Sequence, residues 1–180
     1  MLENLINLLE YYKSLGEKTF AQLSDEELHL EPAEDANSIA IIVKHLWGNM
    51  LSRWTNFLSE DGEKEWRDRD REFDSTIRTR KEFDEKWEEG WSTFLGALRD
   101  LNEADLNKTV YIRNEGHSVI DAIHRQLAHY ASHIGQIMYL GKIIKGSEWE
   151  SLSIPKGKSS EFNAEKFSKD KTERHFTKGS

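Results

Sequence analysis

Leu2, Leu5, Leu8, Leu9, Tyr12, Leu15 and Phe20 recur at helical intervals, so the first predicted element is a helix over about residues 2–22. Ser24, Asp25, Glu26 and Glu27 form a capping-box pattern that opens a short turn, and Pro32 ends it. Asn37 or Ser38 then caps a second long helix over about 38–59, which Asp61 and Gly62 close. The stretch from Glu63 to Arg80 is very polar, but Trp66, Phe73 and Ile77 within it call for burial, so it is predicted as a structured crossover. Thr79 starts a third helix over about 80–101, with Phe83, Trp87, Trp91, Phe94, Leu95 and Leu98 on one side. Residues 107–117 alternate enough for a short hairpin or loop. A fourth helix runs over about 118–145, from Ser118 to a stop at Gly146. Four long amphipathic helices with one long crossover between the second and third predict an all-α four-helix bundle. A single domain over 1–167 is expected. Phe162 and Phe167 are placed across the bundle, and residues 168–180 are expected to form a flexible, poorly ordered tail.

Composition narrows this picture. With 180 residues the chain can bury a core unaided, and only two prolines interrupt it. Charged residues make up 32%, yet six Trp, eight Phe and five Tyr demand burial and argue against disorder. The net charge of −8 lacks the basic footprint of a nucleic-acid binder, so no nucleic-acid partner is expected. No apolar run suits a membrane span, and the N-terminal residues lack the signature of a secretory signal. The absence of cysteine excludes disulfides and thiolate metal sites and fits a reducing compartment, so a cytoplasmic location is expected.

The candidate chemistry lies in the seven histidines. His29, His117 and His175 fall in predicted loops or the tail, where a solvated imidazole is the default. His124 points about 140° away from His129 on the same helix. His129 and His133, four residues apart, stack on one face, where two nitrogens can bind a single ion. Arg125, Gln126 and Gln136 lie within about 60° of His129, making a polar strip, while Leu127, Ile134 and Met138 supply packing elsewhere. On the second helix His45 interrupts an apolar stretch, with Ser38, Asn49, Ser52 and Asn56 within about 40° of it. His45 is then either a hydrogen-bonded core histidine or a third ligand facing the pair across the bundle. No glutamate follows His129 in the HExxH manner. Ile42, Gln126 and Tyr130 precede the three histidines at i−3, so the ExxH pairs of di-iron bundles are absent. Three imidazoles around one ion would suit Zn²⁺, Ni²⁺, Fe²⁺ or Mn²⁺.

The segments HLWGNMLSRWTNFL, EDGEKEWRDRDREF, HRQLAHYASHIGQIMYLGK and WESLSIPKGKSSEFN, spread over about residues 39–163, make the chain similar to the DinB-like superfamily, also called YfiT-like metal-dependent hydrolases. Within it, the chain most resembles the DUF1572 group. The resemblance implies a four-helix bundle with a long crossover, a homodimer and one divalent metal ion, with His45, His129 and His133 as the ligands. It also implies a thiol-S-transferase of the bacillithiol or mycothiol type, or a hydrolase. A non-catalytic metal-binding or stress-related dimer is the alternative.

Since the chain has no cysteine, a thiol must arrive with a low-molecular-weight cosubstrate. Arg125 is a candidate to pair with a carboxylate of such a small molecule. Asn49 and Gln136 are candidates to orient ligands or substrate. The run Trp66, Arg67, Arg69, Asp70, Glu72 and Phe73 reads as internal ion pairs holding the crossover to the bundle. Trp87, Trp91 and Phe94 read as core or dimer seam. The segment SIPKGKSSEFN lacks the pattern of a phosphate-binding loop.

Overall fold

Four helix starts are set by the same device: the hydroxyls of Ser24, Ser38, Thr79 and Ser118 each accept a hydrogen bond from the backbone N–H three residues on. The computed structural model describes residues 2–173 and 175–177. Its helices are α1 (Leu2–Phe20), α2 (Asp25–Leu28), α3 (Ile39–Trp54), α4 (Arg80–Arg99), α5 (Val119–Lys145) and α6 (Ser159–Phe167). Strands β1 (Thr109–Ile112) and β2 (Glu115–Ser118) lie between α4 and α5. The long helices α1, α3, α4 and α5 form the expected bundle, and among the described residues no helix is long and apolar enough to cross a membrane.

Side-chain contacts fix the direction of each helix. Phe20 meets Phe83, Lys13 meets Glu88 and Glu10 meets Arg99, so α1 and α4 are antiparallel. Trp47 lies against Gly90 and Trp54 against Phe94, so α3 and α4 are parallel. His45 meets His133 and Asn49 meets Tyr130, which makes α3 and α5 antiparallel. Gly16 faces Ile134 and Thr19 faces Gly141, so α5 runs with α1. The aromatic side chains Phe20, Phe83, Trp87, Trp91 and Phe94 are all buried, so the strip on α4 is core.

Parallel neighbours cannot be joined by a tight turn, and here residues 55–79 make the return. Asn56 takes a left-handed backbone (φ 51°), a conformation that asparagine tolerates, and α3 ends at Trp54 rather than at about 59. Asn56 therefore leaves the wheel on which it shared a face with His45, and its amide binds Glu60 instead. Ser52 donates to the carbonyl of Gly62 (2.7 Å) and accepts from the N–H of Lys64 (3.3 Å). Further on, Lys44 donates to the carbonyls of Arg71 and Asp74. As the crossover advances from 62 to 74, its partners on α3 fall from 52 to 44, so it travels back along that helix. Of its large apolar side chains Phe57 and Ile77 are buried; Leu58, Trp66 and Phe73 are exposed, contrary to expectation for Trp66 and Phe73.

The hairpin anchors the start of this return. Arg113 and Asn114, both at positive φ, form the two-residue turn, with Ile112 paired to Glu115. The Asp61 carboxylate accepts from the backbone N–H groups of Arg113 (2.8 Å), Asn114 (2.8 Å) and Glu63 (2.7 Å). Partial burial alone would raise its pKa, but these three donors hold it below the ordinary carboxylate value.

The C-terminal segment departs from expectation. Helix α6 buries no residue, and Phe167 is 86% exposed, so Phe162 and Phe167 do not lie across the bundle. Phe176 does meet Tyr11 edge-to-face at 5.6 Å. Arg174 and residues 178–180 of the expected flexible tail lie outside the described residues.

The Asp61→Ala variant removes one acceptor from three backbone donors. A loss of about 1–3 kcal/mol is expected in urea unfolding, with the midpoint falling and the slope unchanged.

Candidate metal centre

Helix α3 carries His45 on its inward face, and α5 presents His129 and His133 one turn apart. The three imidazoles meet through one kind of atom. His129 Nε2 lies 3.3 Å from His45 Nε2 and 3.1 Å from His133 Nε2, and the three ligand atoms all lie within 4.8 Å of one another. His45 is buried, while His129 and His133 are half-buried.

The opposite ring nitrogen of each histidine has an oxygen partner. His45 Nδ1 faces Glu72 Oε2 (2.9 Å), His129 Nδ1 faces Gln126 Oε1 (3.3 Å) and His133 Nδ1 faces Gln136 Oε1 (2.8 Å). An oxygen acceptor at Nδ1 places the proton there and leaves the lone pair on Nε2. Three such lone pairs turned toward one another repel, and a cation among them reverses the sign of the interaction. Two of the three edges fit a metal closely: around a tetrahedral ion with metal–nitrogen bonds of about 2.0–2.1 Å, neighbouring nitrogens are about 3.3 Å apart. The two short nitrogen–nitrogen distances lie at or just below that edge length.

Electrostatics favour the neutral ligand form. Burial, then the neighbouring His133 and His45, and then Arg67 and Arg53, push the His129 pKa down from 6.5 to about 3. Burial also lowers His133, partly offset by its bond to Gln136. Burial would raise Glu72, but His45 and Arg67 outweigh it and hold the carboxyl ionised below its ordinary range. Arg67 grips that carboxylate with two bonds, Nε to Oε1 (2.6 Å) and a terminal nitrogen to Oε2 (3.0 Å). Phe73 stacks on the His45 ring at 4.9 Å with the planes 22° apart.

The remaining polar residues near the site have separate positions. Gln136 touches His133 directly. Asn49 accepts from the Tyr130 hydroxyl (3.0 Å), which itself accepts from the Trp54 indole N–H (3.0 Å). Full burial raises the Tyr130 pKa and keeps the phenol protonated. Arg125 is exposed and has no ion-pair partner among the described residues. Ser38 caps α3 and Ser52 clips the crossover, so neither faces the triad. His124 is exposed, and His117 lies on β2. Sequence reading assigned Glu72 only to ion pairs of the crossover and Gln126 only to a polar strip. Their contacts with imidazole depend on a segment without regular periodicity and on side-chain rotation. The i−3 position of Gln126 was the one available signal.

The low pKa of His129 has a definite sign for stability. The unfolded chain takes up the proton near pH 6.5 and the folded chain only near 3, so the contribution is complete above 6.5 and is lost as pH falls toward 3. Metal-free protein is expected to lose unfolding free energy between pH 7 and pH 5, above the range where ordinary carboxylates titrate. The His129→Gln variant is expected to show a smaller loss in urea titrations at the two pH values.

No curated protein and no solved structure matches the chain. A family model, described as a protein of unknown function, matches residues 1–158, which span the whole bundle, the crossover and all three histidines. On that match, and with a helical bundle and crossover of the DinB-like kind, the chain belongs to the DUF1572 family.

Proposed function

We propose that this protein is a divalent-metal-dependent enzyme of the thiol-S-transferase or hydrolase class, with His45, His129 and His133 as the ligands. The observation that carries this reading is the convergence of three Nε2 atoms while every Nδ1 is bound to an oxygen. When bound, a divalent ion lowers the pKa of a coordinated water or thiol and so supplies a nucleophile near neutral pH. The residues support that use in two ways. Imidazole donors bring no negative charge to an ion, and the carboxylate beside them, Glu72, is already paired with Arg67. The ligand set thus leaves the ion's charge uncompensated and favours an anionic fourth partner such as a thiolate or hydroxide. The half-buried position of His129 and His133 leaves this end of the site closer to solvent than His45. With no cysteine in the chain, a thiol substrate is a free small molecule. Imidazole donors accommodate Zn²⁺, Ni²⁺, Fe²⁺ or Mn²⁺. A cytoplasmic location suits a thiol cosubstrate, which needs a reducing compartment.

One observation favours a second reading, a non-catalytic metal-binding homodimer. On α5, Tyr139 is 67% and Ile143 52% exposed, large apolar side chains of the kind a partner subunit covers.

Metal analysis of protein purified without an affinity tag tests the shared premise. One divalent ion per chain is expected, falling to background in the His129→Ala variant, and equal negligible metal in both after reconstitution overturns it. Added Zn²⁺ at about 100 times its dissociation constant is expected to raise wild-type stability by about 2.7 kcal/mol. Turnover of a thiol with an electrophile, or of an activated ester, that chelation abolishes and metal restores separates the enzyme from the non-catalytic dimer.

A further inference from the structure

The crossover enters the metal centre at one point. Glu72 stands in the short 3₁₀ turn Asp70–Phe73, is 5% exposed, and touches His45 with one oxygen while Arg67 holds both. The floor of this arrangement is Gly48, one turn along α3 from His45. A Cβ added there would lie 2.6 Å from Glu72 Oε1 and 3.0 Å from its Cδ, so the carboxylate occupies the space a side chain would fill. Phe73, the next residue, covers the face of the same imidazole. Three independent features, a bidentate guanidinium, a glycine notch and a stacked ring, therefore converge on the orientation of His45. The other two histidines have only neutral amide partners, Gln126 and Gln136.

We infer that Glu72 is a positioning residue of the metal centre: held by Arg67 in the notch at Gly48, it fixes His45 with its proton on Nδ1 and its Nε2 lone pair toward the ion, and so couples metal binding to the seating of the crossover on α3. This rests on the three-histidine metal reading. A carboxylate accepting from Nδ1–H raises the donor strength of the imidazole and removes its freedom to rotate. Coupling runs both ways, since whatever seats the crossover improves the ligand and a bound ion holds the crossover down.

A merely structural ion pair predicts something different, and a double variant separates the two. Glu72→Gln alone leaves buried Arg67 with only its longer 3.5 Å contact to the Glu63 carboxylate, which destabilises the fold whatever Glu72 does for the metal. Arg67→Met combined with Glu72→Gln removes both charges. Its metal-free urea midpoint is expected to return toward wild type, while its Zn²⁺ affinity, measured by competition with a chromophoric chelator, stays roughly 10–100-fold weaker. The absorption bands of the Co²⁺-loaded protein are expected to shift with it. Gly48→Ala provides a second route that keeps every polar group: displacing the carboxylate is expected to weaken Zn²⁺ binding in the same direction. In wild type, Zn²⁺ is expected to slow tryptic cleavage after the exposed Arg69 and Arg71, and to do so less in the double variant. Zn²⁺ affinities equal to wild type in both the double variant and Gly48→Ala overturn the role of Glu72 and leave the metal site standing. A wild type that takes up no Zn²⁺ overturns the metal reading and this inference together.

Discussion

Because α3 and α4 touch and run in the same direction, the chain between them has to travel back along α3, a helix of sixteen residues and about 24 Å. This return path organises the rest of the molecule. It is too polar to enter the core, so it is fastened from outside by hydrogen bonds: Ser52 at Gly62 and Lys64, the hairpin through Asp61, and Lys44 at Arg71 and Asp74. Phe57 near its start and Ile77 near its end anchor it by burial. The same path carries Glu72 past His45, so a topological necessity of the bundle delivers a carboxylate to the one histidine that the α3 backbone could not otherwise supply with an anion.

Arg53, Glu63, Arg67 and Glu72, the ionised groups linked to the triad, are each paired with an opposite charge. Glu63 accepts from Arg53 (3.1 Å), and Arg67 and Arg113 approach it at 3.5 and 3.4 Å. Arg67 also binds Glu72, which links these guanidiniums to His45 through two carboxylates. The positive charge of Arg67 and Arg53 reaches His129 and helps to keep it neutral. A protonated His129 could not offer a lone pair to an ion, so the arginines act on the ligand state at a distance as well as on the crossover by contact. Tyr130, next in the chain to His129, is tied to α3 through Trp54 and Asn49, which limits rotation of α5 about its own axis.

Much of this was legible in the sequence wherever periodicity applies. The four long helices, the hydroxyl caps of α3, α4 and α5 and the stop at Gly146 follow from local chemistry, and the HxxxH pair follows from helical spacing. The triad was legible because all three members sit on regular helices. What sequence reasoning missed lies where regular geometry ends. Asn56 kept its place on a wheel only so long as α3 was assumed to continue, and one left-handed residue removed it. Glu72 lies in a segment with no period, so its partner could not be deduced from spacing. Arg125 has a wheel angle close to that of His129 and is nonetheless exposed, because the inward stripe is narrower than the polar strip that contains it. Phe162 and Phe167, expected across the bundle, remain on the surface in α6.

The notch at Gly48 ties two positions distant in sequence into one shared volume. The size of the residue on the helix and the length of the acid opposite it then depend on each other. A side chain at 48 would push the carboxylate off the imidazole, and a shorter acid at 72 would fall short of it. The pair therefore behaves as a single lock with two matched halves, and a redesign that changes one half alone must also move the crossover backbone.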